Sequence, residues 1–376
     1  MKKIVIIGPA YPLRGGLASY DERLAKEFIN SGYSTIIYTF SLQYPDFLFP
    51  GTTQYSSEPA PAGIPIKICI NSVNPFNWLT VGNELKKMRP DIVVVRYWLP
   101  FMGPCLGTIL RKVKKNKFTK VVCIADNILP HEKRIGDNPF TQYFVKPVDA
   151  FVTMSEKVLA DIKLFSPEKP SKFVPHPLYD NFGGIISKKS AREFLKISDT
   201  DNILLFFGFI RKYKGLDLLL EAINILKNSK SRVPNLKLLI AGEFYEDRKI
   251  YDELIQKYQL QNDLILHTDF IPDSEVKYYL CAADCVIQPY RSATQSGVTP
   301  LAYHFEKPMI VTNVGGLPAL VPPNVGMVCE PNPVAIASKI GEYFMTGEEA
   351  FLPGIRHEKN KYTWNIMVDA IVNING

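Results

Sequence analysis

Apolar residues along the chain come in short unbroken runs separated by amphipathic stretches, the rhythm of buried strands alternating with covering helices. In the first half the runs fall at 3–7, 34–39, 66–70, 92–96, 120–125 and 149–154. Amphipathic stretches fall at 17–31, 78–88 and 102–114, with a long insertion at 41–62. Runs such as Asp-Ile-Val-Val-Val and Lys-Val-Val-Cys-Ile-Ala lack the in–out alternation of a half-exposed strand, so they read as strands covered on both faces of a parallel sheet. After Lys172-Phe-Val-Pro-His-Pro-Leu178 the rhythm restarts. Strands are expected at 202–207, 236–241, 264–268, 284–288 and 309–312, with helices at 216–227, 247–258, 274–282 and 298–305 and a helical end. The expected fold class is α/β: two Rossmann-like domains facing across a cleft, residues 1–177 and 178–359. Pro175, Pro177 and the Asp180-Asn181 turn mark the hinge between them.

Length agrees with two domains, since 376 residues exceed one ordinary core. No run of 18 apolar residues predicts a membrane span, and Ile4–Ile7 is too short for the core of a signal peptide. Six scattered cysteines, most within apolar segments, read as reduced thiols of a cytoplasmic protein. Cys281 and Cys285, four apart, can share a helix face, but without nearby histidines they read as packing and not as metal ligands. Charge is uneven. Residues 1–177 carry 23 Lys/Arg against 14 Asp/Glu, and residues 178–376 carry 21 against 23. Within the cationic half, the apolar segment 98–110 followed by Arg111, Lys112, Lys114, Lys115, Lys117 and Lys120 is expected either to rest on an anionic membrane surface or to be an ordinary solvated helix. The basic cluster matches no nucleic-acid-binding module, so nucleic acid is not an expected partner.

Candidate chemistry gathers where strands end in glycine turns, because ligands of open α/β sheets sit beyond the carboxyl ends of the strands. Between the strands at 284–288 and 309–312, Gln295-Ser296-Gly297-Val298-Thr299 leads into a helix whose first amides are unpaired and positive, a seat for a diphosphate or merely a turn. Gly315-Gly316 forms a second turn at that edge. Gly208 follows the strand at 202–207, and Arg211 and Lys214 are two cations placed to neutralise a departing diphosphate, or else a solvated basic loop. Gly242 and Glu243, and Ile271, end two further strands and would line a nucleotide pocket. In the first half, Gly15-Gly16 with Arg14 precedes a helix and can present amides to a phosphate or a hydroxyl; it is not the G-x-G-x-x-G of a dinucleotide site. His131 and Glu132 lie in the loop after the strand at 120–125, where a histidine can assist proton movement or tie down its own loop. His176 and His267 read as structural, and Asp199-Thr-Asp201 as turn chemistry.

The combination of G-G-x-x-x-Y after the first strand, F-F-G-F-I-R-K-Y-K-G-L-D, the A-G-E turn and S-G-V-T-P-L-A-Y-H-F-E-K-P-M-I-V-T-N-V-G-G-L-P resembles the retaining glycosyltransferases of family four, over nearly the whole chain. The resemblance implies the GT-B architecture, a nucleotide-diphosphate sugar donor on the second domain, an acceptor on the first, and neither metal nor other cofactor. It implies that Gly15 and Gly16 are the phosphate-proximal glycines and His131 the histidine near the donor sugar. It also implies that Lys214 lies on the diphosphate and that Ser296-Gly297-Val298 holds the distal phosphate. Tyr362-Thr-Trp364 resembles the start of a last helix, 360–376, that packs back on the first domain. Two positions depart from the pattern. Ala293 and Leu301 stand where the family carries glutamates, with Gln295 or Thr299 as the expected replacements, and Phe209 stands where it carries arginine, with Arg211 as its expected substitute. The implied activity is metal-independent hexosyl transfer to a glycan or lipid-linked acceptor, in polysaccharide or glycoconjugate synthesis at the cytoplasmic face of a membrane. The alternatives are an epimerase-like enzyme or a catalytically silent nucleotide-sugar-binding protein.

Overall fold

The computed structural model describes residues 1–45, 53–129, 136–229, 233–293 and 296–374. Its strands are β1 (Lys3–Ile7), β2 (Ser34–Leu42), β3 (Ile66–Asn71), β4 (Ile92–Tyr97), β5 (Lys120–Ala125), β6 (Ala150–Thr153), β7 (Ser171–Phe173), β8 (Asn202–Phe207), β9 (Leu236–Ala241), β10 (Leu264–His267), β11 (Cys285–Gln288), β12 (Met309–Thr312) and β13 (Gly326–Cys329). They form two parallel sheets, ordered β3-β2-β1-β4-β5-β6-β7 and β10-β9-β8-β11-β12-β13. The chain divides into two compact units, Met1–Pro177 with Thr363–Gly376, and Leu178–Tyr362.

Each sheet is doubly wound about its first strand. β1 lies between β2 and β4, and β8 between β9 and β11, so each unit has a switch point where the connections diverge and a crevice opens at the carboxyl ends. Register brings those ends level: Phe207 pairs with Ala241, and Tyr97 with Ala125. The apolar runs are buried as their pattern requires; Ile4 to Ile7, Val93 to Val95 and Val121 to Ala125 are essentially without solvent contact.

Differences from the sequence expectation have local causes. β7 and β13 are edge strands of three and four residues, Ser-Lys-Phe and Gly-Met-Val-Cys, whose half-buried positions leave no apolar run to recognise. The helix expected from Trp78 begins one turn earlier, as Pro75–Met88, because the Asn74 side chain accepts from the amides of Phe76 and Asn77 and Pro75 fits the first helical position. Cys281 and Cys285 share no helix: the first lies in Val276–Ala282, the second in β11, and both are buried free thiols.

The apolar segment at 98–110, read either as a membrane contact or as a solvated helix face, is core. Met102, Cys105, Leu106, Ile109 and Leu110 have no solvent exposure, and the helix Gly103–Lys114 turns them onto the sheet. Two of its cations are engaged within the unit, Lys114 with Asp149 at 2.7 Å and Arg111 with the Gly107 and Tyr143 carbonyls. Among the described residues no helix is long and apolar enough to cross a membrane.

Candidate functional site

The carboxyl edge of the second sheet is shaped by two glycines. Gly208 (φ +92°) and Gly242 (φ +140°) follow β8 and β9, and a Cβ on Gly242 would stand 2.4 Å from the Gly208 carbonyl oxygen. Only glycine permits both the left-handed backbone and the approach. Past them the two chains stay paired: Ile210 N–H donates to the Glu243 carbonyl at 2.8 Å and Tyr245 N–H to the Ile210 carbonyl at 3.0 Å. This rigid extension ends in the turn that carries Arg211 and Lys214.

Lys214 is buried, 8% exposed, although it sits in a turn. Its Nζ lies 3.1 Å from where a Gly208 Cβ would be and 5.9 Å from the centre of the Tyr290 ring. Among the described residues its ammonium makes no ion pair and no hydrogen bond. Burial, with Arg211 as a neighbouring positive charge, pushes its pKa down from the ordinary 10.5 to about 7. A buried cation with no carboxylate beside it is costly unless an anion arrives. Arg211 is exposed, its guanidinium 5.1 Å over the Tyr245 ring.

The turn is held from three sides. Lys212 N–H donates to Glu246 at 2.6 Å, Arg291 N–H donates to the Tyr213 carbonyl at 2.7 Å, and the Arg291 guanidinium pairs with Asp217 at the start of the following helix. A Cβ on Gly215 would meet the Pro289 carbonyl at 2.0 Å, so the turn lies directly against the end of β11.

The opposite wall starts at Ser296. Its Oγ accepts from the Val298 amide at 3.1 Å and lies 3.3 Å from the Tyr290 hydroxyl. One of the amides expected to face a phosphate, that of Val298, is therefore already bonded within its own turn. Thr299, fully buried, exchanges hydrogen bonds with the Gln288 side chain, at 3.1 and 3.2 Å, and its hydroxyl is occupied there. Val298 packs against the same point as Lys214, its Cγ2 3.9 Å from the Gly208 Cβ position; Gly297 is exposed beside Tyr179. The structure thus gathers Gly208, Lys214, Ser296 and Val298. Glu243 is buried behind them, and Ile271 half-buried on the neighbouring loop. Gln295 and His131 lie outside the described residues, as does Glu132. Ala293 and Leu301 are buried apolar positions, and the Ala293 carbonyl lies 1.8 Å from a Cβ built on Gly315.

Gly15 and Gly16 belong to the other unit. Gly15 (φ +101°) caps the helix Gly16–Asn30, and the Arg14 guanidinium donates to the Thr53 carbonyl at 2.8 Å. His176 is buried, its Nδ1 2.7 Å from the Pro177 carbonyl, and burial lowers its pKa to about 3, so it is a neutral structural group. His267 reaches the Tyr279 hydroxyl at 2.9 Å. Sequence reasoning missed a buried charge cluster in this unit. Arg96, at the end of β4, binds Asp126 through two contacts of 2.6 Å and Asp21 through one of 3.3 Å, over the ring of Tyr20. The available signal was an arginine terminating an otherwise unbroken apolar run. Among the described residues no group of three or more His, Cys, Asp or Glu side chains gathers to hold a metal.

Residues 187–350 match the family model of glycosyl transferases group 1. The second unit carries a group 1 glycosyl transferase domain. No curated protein matches the chain. Solved structures match it end to end. HepE of Anabaena in complex with UDP-glucose has a TM-score of 0.73 at 13% identity, covering 99% of each chain. Sucrose-phosphate synthase of Thermosynechococcus elongatus has 0.72 at 12%, covering 100% of this chain and 98% of the other. A glycosyltransferase of Rickettsia africae has 0.71 at 19%, covering 100% and 99%. These likenesses establish the GT-B fold for the chain as a whole.

Proposed function

We propose that this glycosyltransferase moves a hexose from a nucleotide-diphosphate sugar to a glycan or lipid-linked acceptor, with retention of the anomeric configuration. The donor would lie on the unit Leu178–Tyr362 and the acceptor on the unit that begins the chain. The observation that carries the reading is Lys214: a buried ammonium at the switch point, with no anionic partner among the described residues and with Arg211 in the same turn. Two cations there would stabilise the diphosphate as its bond to the sugar breaks and negative charge builds on the leaving oxygen. In the reading, the acceptor hydroxyl attacks from the face the diphosphate leaves, and the diphosphate takes up the hydroxyl proton. His131 would contact the donor sugar, and Gly15 and Gly16 would face its phosphate side. Gly208, Gly242, Glu243, Ile271, Gln295, Ser296, Gly297, Val298 and Thr299 would form the donor's walls, Thr299 as packing. No metal or other cofactor has a place in it. UDP-glucose, bound in the HepE structure, makes a UDP-hexose the first donor to try. The reading places the protein in polysaccharide or glycoconjugate synthesis at the cytoplasmic face of a membrane, on the ground of the acceptor class alone.

The test is a panel of UDP-, GDP- and ADP-hexoses with and without glycan acceptors, read by nucleoside-diphosphate release and by product analysis. Acceptor-dependent release of the diphosphate is expected. Epimerised sugar, or a raised melting temperature without turnover, would replace transfer by one of the two alternatives; the apolar Ala293 and Leu301 make the second of these the one to watch. No effect of any nucleotide would end the reading.

A further inference from the structure

Three aromatic side chains stand on three consecutive strand ends of the second sheet: Phe209 after β8, Tyr245 after β9 and Phe270 after β10. They are half-buried, and they are stacked. Phe209 and Tyr245 lie 4.2 Å apart between ring centres at an interplanar angle of 27°, and Phe209 and Phe270 lie 6.5 Å apart at 29°. Both stacked and edge-to-face pairs occur elsewhere in this unit, Phe194 and Tyr278 stacked at 3.8 Å and 11°, Tyr213 and Tyr290 edge to face at 82°.

The first pair is fixed by the paired backbone past Gly208 and Gly242, where Ile210 and Phe244 form an isolated parallel bridge. The ladder therefore stands ready-made, with little side-chain freedom left to lose when a ligand arrives. The second pair is looser, near the outer limit of the ~4.5–7 Å over which rings attract. Cations flank the ladder on one side. Arg211 sits over Tyr245, and Lys214 Nζ abuts Gly208, the residue before Phe209.

We propose that Phe209, Tyr245 and Phe270 seat the nucleobase of the donor by stacking, at the Phe209–Phe270 step, while Lys214 and Arg211 take the diphosphate. This rests on the nucleotide-sugar reading above and names what that reading leaves open: the base is held by ring stacking. A planar base suits the near-parallel planes. The puckered ring of a hexose offers no second flat face to such a ladder. Because every base has a π-face, stacking of this kind accepts purines and pyrimidines alike, so discrimination between UDP and GDP must come from groups at the base edge.

The experiment titrates UDP, GDP and inorganic pyrophosphate into the full-length protein and into Phe209→Leu, Phe209→Ala and Phe270→Ala variants, with melting curves to show that each is folded. Phe209→Leu keeps most of the volume and removes the ring. Nucleoside diphosphates are expected to bind about tenfold more weakly or worse to every variant, while pyrophosphate binds within about twofold of wild type. Unchanged UDP and GDP affinity in the folded variants overturns the stacking seat and leaves the diphosphate site standing. Equal loss of pyrophosphate and nucleotide overturns it too, because the rings then shape only the phosphate end. If neither nucleotides nor pyrophosphate bind the wild-type protein, the donor reading itself fails and the stacking seat with it.

Discussion

Replacing Lys214 by methionine is expected to raise the melting temperature of the ligand-free protein while lowering kcat/KM for transfer about 100-fold or more. The two effects have one origin. An ammonium held away from water without a counter-ion destabilises the fold, and a side chain of similar length without the charge removes that cost. The gain is expected to be about 1 kcal/mol or more, roughly 2–4 °C for a unit of this size. Its pH dependence follows from the direction of the shift. The folded pKa is lowered to about 7 from 10.5, so between those values the unfolded chain binds a proton that the folded chain has released. Wild-type stability therefore rises with pH across that window, and the advantage of methionine is largest at and below pH 7 and shrinks above it. Calorimetric melting at pH 6.5 and 9.5 with an activity assay measures both effects. A variant that is less stable and equally active would show that Lys214 is an ordinary packing residue.

Arg96→Ala is expected to cost about 3–5 kcal/mol, because it strands two buried carboxyl groups that now share one guanidinium. The two do not behave alike. For Asp21, burial outweighs the attraction of Arg96, and its pKa is raised well above the usual carboxylate range; one of its oxygens makes no hydrogen bond among the described residues and faces the Cβ position of Gly8 at 2.1 Å. Raised above its unfolded value, this group favours the fold at low pH, and that contribution is lost as pH rises through the folded value. Asp21→Asn, which copies the protonated form, is thus expected to gain stability relative to the wild type as pH rises, where the wild-type carboxyl must ionise in its buried site. All three tryptophans, Trp78, Trp98 and Trp364, belong to this unit, so urea unfolding followed by tryptophan fluorescence reads it selectively. A loss under about 1 kcal/mol for Arg96→Ala would mean that the cluster is hydrated.

The strand-and-helix rhythm was legible because both sheets are parallel and buried: β1, β5, β8, β9 and β12 have the ends that the apolar runs set. The edge strands Ser171–Phe173 and Gly326–Cys329 were not, since half-exposed strands of three and four residues need no hydrophobic signature. The glycine turns and the two cations could be read at the site because a ligand edge needs those residue types. Their environment could not be read. Nothing in Arg-Lys-Tyr-Lys-Gly says that the second lysine is buried and the first exposed; that follows from the contact of Gly215 with Pro289 and from the Glu246 and Arg291 hydrogen bonds, made by residues 34 and 78 positions from the partners they hold. Spacing misled at 98–120, where an apolar run beside lysines described a helix packed on its own sheet. The ladder of Phe209, Tyr245 and Phe270 and the Asp21–Arg96–Asp126 cluster are assembled from separate strand ends, and periodicity carries no information on such contacts.

The central claim is that Lys214 meets the donor's diphosphate. Calorimetric titration of UDP and GDP at pH 8.5, in two buffers of different ionisation heat, measures it most directly. At that pH the lysine is largely neutral before binding and is charged once the diphosphate is beside it. The account predicts the uptake of about one proton per nucleotide bound, and none in Lys214→Arg, whose guanidinium is already charged. Tight binding to the wild-type protein with no proton taken up would contradict it.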